Sequence, residues 1–404
     1  MVAWLLPSNR ARFGAAHATR SLAWAAIDLL LAWHLHVRVG LTGVQTGWLL
    51  CLFLLVGAVA TALAGRALDR GRATDAMAVR VQLPATCVTA LLLWAQFAVH
   101  GAAAAMAVGL AFRLSYAVQD VAQNMLAALL PRDDADARGY ARLRVMLSAG
   151  TRCLIVAGFA LATAAGMVAL LAVVGALMVA SAFGLRGATF APHAPARPAD
   201  RSDRAMPAGL PALLLGWIMT ATLLPTVTRL LIFAPPVAGA WSGGVVLLGG
   251  YCLGTLIGPA LRELLGRSVL LAIIVASGAL LIVPLGIGPT VRIAAAVLHG
   301  IGVSIINVHL WVATSQLAID ERRAGRSADG TVFGAVIMTL HLATALSMVI
   351  LGPLIDQLGD GRHQAPAISL LLTALGAIMI AGAGHRPKPR GRRVRAKSFQ
   401  KPAL

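Results

Sequence analysis

The sequence predicts an all-α membrane protein with twelve transmembrane helices, arranged as two pseudo-symmetric bundles of six. Of its 404 residues, 59% are hydrophobic and only 12% are charged, whereas about a quarter of an average soluble chain is charged. The apolar residues form runs of about 20, which is the length that a helix needs to cross the hydrocarbon core. Basic residues lie between these runs, so the net charge of +19 indicates membrane topology rather than nucleic-acid binding.

The first half of the chain holds six apolar runs. Their residues do not alternate between polar and apolar, which argues against a β-barrel and leaves helix as the spanning form. We predict transmembrane helices at residues 19–38, 45–65, 77–99, 102–130, 141–164 and 166–186. Together they form a predicted N-terminal bundle at residues 1–186.

The second half repeats this arrangement after a polar interruption. Residues 187–208 are rich in proline and charge, and this composition predicts a solvated linker. A C-terminal bundle is predicted at residues 209–384, and a basic tail at residues 385–404. The predicted helices of this bundle lie at residues 209–234, 237–262, 267–288, 290–318, 328–357 and 364–384.

The positions of the basic residues predict the orientation in the membrane. With the N-terminus in the cytoplasm, most arginines fall on the cytoplasmic side, as the positive-inside rule requires. Arg20 and Arg144 are assigned to that side, and only Arg38, Arg292 and Arg362 remain on the other. An even number of helices then brings both termini, the linker and the tail to the cytoplasm. The expected location is a bacterial inner membrane.

A short charged turn follows the second predicted helix. Its defining residues are Gly65, Asp69, Arg70, Gly71 and Arg72. A related glycine-rich and charged turn at residues 258–267 follows the second helix of the other half. This recurrence indicates two halves of related structure.

The first turn resembles the loop signature G-x-x-x-D-R-x-G-R of the major facilitator superfamily, shortened by one residue. The resemblance implies an exporter-like secondary transporter in which this turn stabilises one gating state. Arg113 resembles the helix-4 arginine of the family's proton-coupled exporters, although the glycine that follows it there is missing. The helix-5 antiporter signature is also missing. The implied partners are a small-molecule substrate, protons and membrane lipids, and the implied state is a monomer without a cofactor.

Four polar residues form a stripe on the fourth predicted helix. Arg113, Tyr116, Asp120 and Gln123 are spaced three, four and three residues apart, so they share one helical face. Asn124 lies beside this face. Arginine and aspartate are costly in contact with lipid, so the stripe is expected to face a cavity.

Residues of other helices are expected to meet this stripe at the cavity. The predicted substrate-binding residues are Arg113, Tyr116, Gln123, Asn124, Arg152 and Asn307. Arg113 is expected to hold an anionic group of the substrate, because a guanidinium binds a carboxylate through two parallel hydrogen bonds.

Two carboxylates within the predicted helices are candidates for proton coupling. Asp28 lies in the first helix and Asp120 in the fourth, and burial together with a nearby arginine can make such a group change its charge. The alternative is that these carboxylates form buried structural ion pairs, Asp120 with Arg152 or Asp28 with Arg113.

Three classes of function remain to be weighed. The motifs H-E-x-x-H, G-x-S-x-G and G-x-x-x-x-G-K-S/T are absent from the sequence, which argues against an enzyme or an ATP-driven pump. No spacing of cysteine and histidine indicates a metal site. The favoured function is proton-coupled export of a small organic solute, anionic, carboxylate-bearing or siderophore-like. The alternative is proton-coupled import of a sugar or an organic acid.

Overall fold

The computed structural model describes residues 8–70, 74–161, 164–190, 207, 209–218, 243–261, 264, 289–324 and 328–359. These residues are overwhelmingly helical and contain no strand, which confirms the all-α prediction for this part of the chain. Six helices within it are long and apolar enough to cross a membrane. The predicted helices at 267–288 and 364–384, most of the linker and the whole tail lie outside the described residues. The count of twelve helices and the domain bounds therefore stay predictions.

Ten α-helices have bounds within the described residues. The chain continues from the first of them through a π-helical turn at His34–Arg38, and residues 210–218 are helical as well. The helices are α1 (Asn9–Trp33), α2 (Gly43–Asp69), α3 (Thr74–Arg80), α4 (Gln82–Ala98), α5 (Ala102–Leu129), α6 (Asp134–Leu161), α7 (Ala164–Leu185), α8 (Gly243–Leu261), α9 (Pro289–Arg323) and α10 (Asp329–Gly359).

Two helices begin earlier than the sequence predicted. Helix α1 starts after Ser8, whose hydroxyl accepts a hydrogen bond from the Ala11 amide at 3.1 Å and so caps the helix. Helix α6 starts about two turns before residue 141. Arg20 and Arg144, which the positive-inside rule assigns to the cytoplasmic side, are buried in the interior, because these longer helices carry both side chains inward.

The two halves of the described chain meet along two sets of helices. Helix α2 packs against α10 along its length, and α6 packs against α8 and α9. Within the first half, α1 packs on α6 and α7, while α4 packs on α5 and α7. The interior between the halves is therefore bounded by helices from both.

The contact between α2 and α10, which we call the seam, is built from glycine. A Cβ atom on Gly43 would lie 2.5 Å from the carbonyl oxygen of Gly352, and one on Gly47 would lie 2.9 Å from the Gly352 Cα. Near the other end, a Cβ on Gly65 would lie 2.9 Å from the carbonyl carbon of Gly330. Small residues let the two backbones touch, and larger side chains at these positions would force the helices apart.

Candidate functional site

A cavity of about 210 Å³ lies between the two halves of the described structure. Helices α1, α5 and α6 line it from one side, and α8, α9 and α10 line it from the other. Its charged lining residues are Arg20, Asp28, Asp120, Arg144 and Arg152. Charges held this deep among apolar helices are costly unless they are paired or bind a solute.

Six of the eight residues predicted to bind substrate or carry protons line this cavity: Asp28, Tyr116, Asp120, Asn124, Arg152 and Asn307. The structure therefore brings together side chains from helices α1, α5, α6 and α9. The other two, Arg113 and Gln123, are 4% and 1% exposed and do not belong to the described lining of the cavity.

Arg113 lies behind an aromatic layer instead of facing the cavity. Its Cζ atom is 5.3 Å from the ring centroid of Trp24, and Trp24 is one of the residues that line the cavity. The Trp24 ring stacks between Tyr116 at 5.5 Å and His341 at 5.7 Å. Arg113 therefore contacts the cavity through Trp24, and its predicted contact with a substrate stays a prediction.

Asp120 is paired with Arg20 of α1, a partner that sequence reasoning missed. The Arg20 guanidinium contacts the Asp120 carboxylate, and the Asn124 side-chain amide donates to the same carboxylate at 3.1 Å. Arg152, the partner considered from the sequence, pairs elsewhere. We did not predict Arg20 as a partner of Asp120, because the positive-inside rule treats an arginine near a helix end as a marker of topology.

The sequence contains a pattern which indicates that α1 begins earlier than we predicted. His17, Ser21, Trp24 and Asp28 are spaced four, three and four residues apart, so they share one face of a helix. All four line the cavity. This stripe on α1 is of the same kind as the stripe on α5, and it predicts a helix that starts well before residue 19.

Arg152 makes the second ion pair of the cavity, and this pair is looser. Its Nη2 atom lies 3.9 Å from Oδ2 of Asp28, and its Nη1 atom donates to the hydroxyl of Tyr251 at 3.5 Å. Both distances are at the long end for such contacts. Asp28 belongs to the first half and Tyr251 to the second, so Arg152 bridges the halves.

His17 connects the two arginines that lie on either side of it. Its Nδ1 atom accepts a hydrogen bond from Arg20 at 3.0 Å, because a guanidinium can only donate. Nδ1 therefore carries no proton, and the ring is neutral. The proton resides on Nε2, which donates to the Arg144 carbonyl oxygen at 3.2 Å.

The Arg144 guanidinium stacks on an indole from the other half of the chain. Its Cζ atom lies 3.2 Å from the ring centroid of Trp311. Trp311 packs against Trp217 with ring centroids 4.6 Å apart, and the Trp217 indole N–H donates to the Thr314 hydroxyl at 3.2 Å. These contacts hold the Trp311 ring in position against the Arg144 guanidinium.

The seam is closed at both ends by aspartates that cap helices. Asp69, the last residue of α2, accepts the Gly330 amide at 2.7 Å and both the amide and the hydroxyl of Thr331 at 2.6 Å. Asp356, near the end of α10, accepts the amides of Gly43 at 2.6 Å and Val44 at 3.0 Å. Each helix thus neutralises the positive N-terminal end of the other.

Of the predicted turn, Gly65 and Asp69 face α10, and Arg70 ends helix α2. Gly71 and Arg72 lie outside the described residues. Asp69 therefore contacts the other half of the chain, as a residue that stabilises one gating state would.

More polar contacts join the halves at the Asp69 end. Asp134, the first residue of α6, accepts hydrogen bonds from Gln316 at 3.3 Å and from Arg323 at 2.9 Å. These two donors hold the pKa of Asp134 below its ordinary value. Arg322 donates to the carbonyl oxygen of Ala128 at 3.1 Å. Together with Asp69, these contacts join the two halves at this end of the seam.

Comparisons with known proteins identify the fold. No protein-family model and no curated protein matches the sequence. Among solved structures, the nucleoside transporter NupG is similar, with a TM-score of 0.64, 13% sequence identity, and coverage of 93% of this chain and 98% of that one.

The human organic anion transporter TETRAN gives a TM-score of 0.63 at 14% identity, covering 93% of this chain and 99% of that one. The Escherichia coli fucose:proton symporter FucP gives 0.62 at 13% identity, covering 93% and 97%. The sequence similarity is low, but these folds agree over nearly the whole chain. The protein therefore has the fold of the major facilitator transporters.

Proposed function

We propose that this protein is a secondary active transporter of a bacterial inner membrane that exports a small organic solute in exchange for protons. The cavity carries this proposal. It lies between two halves of a major facilitator fold, the halves are in contact at both ends of the seam, and its wall has buried carboxylates and guanidiniums. A polar cavity midway between two bundles is the arrangement by which such folds alternate access.

The proposal includes the organisation expected from the sequence. Twelve helices form two bundles at residues 1–186 and 209–384, with the linker 187–208 and the tail 385–404 in the cytoplasm. The end of the seam at Asp69 is then cytoplasmic, and the end at Asp356 is periplasmic. Reporter fusions at Ala199 and after Leu404 test this orientation, since both should give a cytoplasmic signal and a periplasmic signal from either overturns it.

Asp28 is the stronger candidate for proton coupling. Its guanidinium partner Arg152 lies 3.9 Å away and also donates to Tyr251 of the other half, so movement of the halves would break the Tyr251 contact and let Arg152 shift relative to Asp28. A buried carboxylate that loses a positive neighbour binds a proton more readily. Asp120, in contact with both Arg20 and Asn124, is held more firmly.

Transport by reconstituted protein tests this assignment. The solute is first identified by comparing the metabolites of wild-type and deletion cells, inside the cells and in the medium. We expect Asp28→Asn to abolish transport driven by a pH gradient in proteoliposomes while solute exchange continues. Asp320→Asn, which changes an exposed aspartate of α9, is the matched control. Gradient-driven transport that survives neutral residues at both Asp28 and Asp120 excludes these carboxylates.

The alternative of a structural ion pair makes a different prediction for Arg20 and Asp120. If the pair only holds helices together, either single neutral variant loses expression, and the exchanged pair of Arg20→Asp with Asp120→Arg restores both expression and transport. If Asp120 carries protons, the exchanged pair restores expression but leaves transport uncoupled from the gradient.

Proton-coupled import of a sugar or an organic acid is the second candidate. Two of the similar structures are named as a nucleoside transporter and a fucose:proton symporter, and the same cavity would serve either direction. The direction of solute movement under an imposed pH gradient separates the two. A biosynthetic gene neighbourhood would favour export, and a catabolic one would favour import.

We propose that the charged turn after α2 is the cytoplasmic latch, meaning a contact that holds the two halves together on that side. The turn consists of Gly65, Asp69, Arg70, Gly71 and Arg72. Its support is the set of three hydrogen bonds between Asp69 and the first residues of α10. Opening on this side must break them, so their strength sets how often the cytoplasmic side opens.

A further inference from the structure

Arg144 is the cavity guanidinium that has no carboxylate partner among the described residues. Arg20 is paired with Asp120, and Arg152 with Asp28. Arg144 is 6% exposed, and its Nη1 atom, in the described part of the chain, has no hydrogen-bond partner. With three guanidiniums, two carboxylates and a neutral His17 in its wall, the charged lining described so far has one positive charge in excess.

The stack on Trp311 determines how Arg144 can bind a ligand. The indole covers one flat face of the guanidinium at 3.2 Å, and this contact stabilises the cation without using its N–H groups. The N–H donors point outward in the plane of the group, where they match the two oxygens of a carboxylate. A stacked guanidinium is therefore prepared for bidentate binding.

Neutral polar groups lie beside this position. Ser148 is one turn along α6 from Arg144, and Asn307 is one turn along α9 from Trp311, and both line the cavity. The cavity volume of about 210 Å³ is below the roughly 300–1,000 Å³ of pockets for drug-sized ligands. A ligand that fits is small, with a single anionic group and hydrogen-bonding substituents.

We infer that Arg144, stacked on Trp311, binds the carboxylate of a small organic monocarboxylate, and that this is the substrate class of the proposed transporter. The inference rests on the proposed function. One carboxylate neutralises the excess charge of the lining, whereas a dicarboxylate would leave a buried negative charge and a neutral solute would leave Arg144 unpaired.

The stack also links binding to closure. Arg144 belongs to the first half of the chain and Trp311 to the second, so the complete site exists only while the halves are together. A bound carboxylate compensates the charge of Arg144 in this closed state, so that it stabilises the state through which the solute must pass.

Thermal unfolding of the purified full-length protein with matched probes tests the inference. Benzoate, benzamide and phthalate have the same ring and carry one, zero and two negative charges, and lactate is a smaller monocarboxylate. We expect benzoate or lactate to raise the unfolding temperature of the wild type through binding to the native state. Benzamide and phthalate should bind at least about tenfold more weakly, as expected for loss of a buried charge-assisted contact.

Variants connect this response to the residue. Arg144→Gln should remove the stabilisation by monocarboxylates, and Arg144→Lys should restore only part of it, because a point charge does not replace the planar fork. Arg138→Gln, at an exposed position on the same helix, should respond like the wild type. Near-normal unfolding of the Arg144→Lys protein without ligand shows that it is folded.

Three results would overturn the inference: equal stabilisation by benzoate and benzamide, an undiminished response of Arg144→Gln, or no response of the wild type to either monocarboxylate. None of them removes the proposed function, since gradient-driven transport that depends on Asp28 would still identify a transporter of another solute. If no gradient-driven transport is observed but benzoate still stabilises the protein, the binding site is supported and the proton coupling is not.

A second inference concerns Asp356 and rests on a separate observation. Its carboxylate caps the N-terminus of α2 through the amides of Gly43 and Val44, as Asp69 caps the N-terminus of α10. We propose that Asp356 is a second latch, which closes the periplasmic side of the cavity. The two latches lie at opposite ends of one antiparallel helix pair, so tilting α2 against α10 opens one end while the other stays closed.

Labelling of the cavity from each side of the membrane tests the second latch. The reporter is Ser148→Cys in a protein whose four native cysteines are replaced, treated with a membrane-impermeant maleimide in right-side-out and inside-out vesicles. Asp356→Ala should increase labelling from the periplasmic side by about two- to thirtyfold, the range expected for loss of a helix-capping side chain. Asp356→Asn should have a smaller effect, because its single amide oxygen can still replace one of the two carboxylate oxygens that accept these hydrogen bonds.

Asp320→Ala serves as the control for this experiment and should label like the parent protein. Unchanged periplasmic labelling of Asp356→Ala would overturn the proposal. So would an increase seen only from the cytoplasmic side, because it would mean that Asp356 stabilises the wrong end. A protein opened at both sides by misfolding would label equally from both, which also contradicts a latch.

Discussion

The two ends of the seam use the same device with unequal strength. At one end Asp69 accepts three hydrogen bonds from α10, and Asp134 and Arg322 add further contacts between the halves. At the other end Asp356 accepts two. The difference implies that the Asp69 end opens less readily, so the resting cavity favours opening at the Asp356 end.

The comparison also shows why both ends can be closed at once. An N-terminal cap satisfies amides that have no partner within their own helix, so each latch is stable without help from the other. A ligand or a proton must therefore weaken one end selectively for the cavity to open. This arrangement suits a transporter that passes through an occluded state.

The largest effect is expected from the glycines that hold both ends in register. Gly47→Val should abolish transport and lower stability by about 1–3 kcal/mol or more, the cost of overpacking, because its Cβ would lie 2.9 Å from the Gly352 Cα. Thermal unfolding in detergent measures this loss of stability. Gly249→Ala in α8, where a Cβ would meet nothing within 4 Å, should be neutral or slightly stabilising. Normal transport by Gly47→Val would contradict close packing of the seam.

A smaller effect is expected from the stronger latch. Asp69→Asn should express near normally but transport several-fold more slowly, because the neutral amide loses the attraction to the N-terminus of α10. In the vesicle assay its labelling should rise from the cytoplasmic side, opposite to Asp356→Ala. If Asp69→Asn transports at the wild-type rate, the turn only determines topology.

The smallest effect is expected from Asp134. Exposed ion pairs contribute little, so Asp134→Asn should increase cytoplasmic labelling by about twofold or less. Its lowered pKa in the native state means that its contribution is complete above its ordinary pKa and is lost only as the pH falls through the lowered value. The difference in labelling between Asp134→Asn and the parent protein should therefore stay constant between about pH 6 and about pH 8. A change within that window would mean that another group controls this end.

The sequence predicted the fold class and six of the residues that line the cavity. Run length predicted the helices, and charged or polar residues within them predicted which side chains lie in the interior, because both are local properties. The pairs observed, Asp120 with Arg20 and Asp28 with Arg152, differ from the two pairings that the sequence suggested as the alternative. Asp120 and Arg20 lie a hundred residues apart, and which arginine reaches which aspartate depends on the rotation of each helix, which one stripe does not specify.

Two further positions differ from the expectation for identifiable physical reasons. Arg20 was counted as a topological marker by the positive-inside rule, but its carboxylate partner holds it buried within the bundle. Arg113 was expected to face the solute, and in the structure its guanidinium lies against Trp24, a residue of the cavity wall. The seam of glycines and the capping role of Asp356 were not predicted, since they depend on two helices being neighbours.

The stack of Arg144 on Trp311 also makes the state of the protein observable by light. Indole emission shifts to longer wavelength when the ring meets water, and Trp311 is covered by a guanidinium only while the two halves are closed. Trp217, 4.6 Å away, should exchange excitation with it and mark the same event in near-ultraviolet circular dichroism. Opening and closing can therefore be followed in real time without an attached dye.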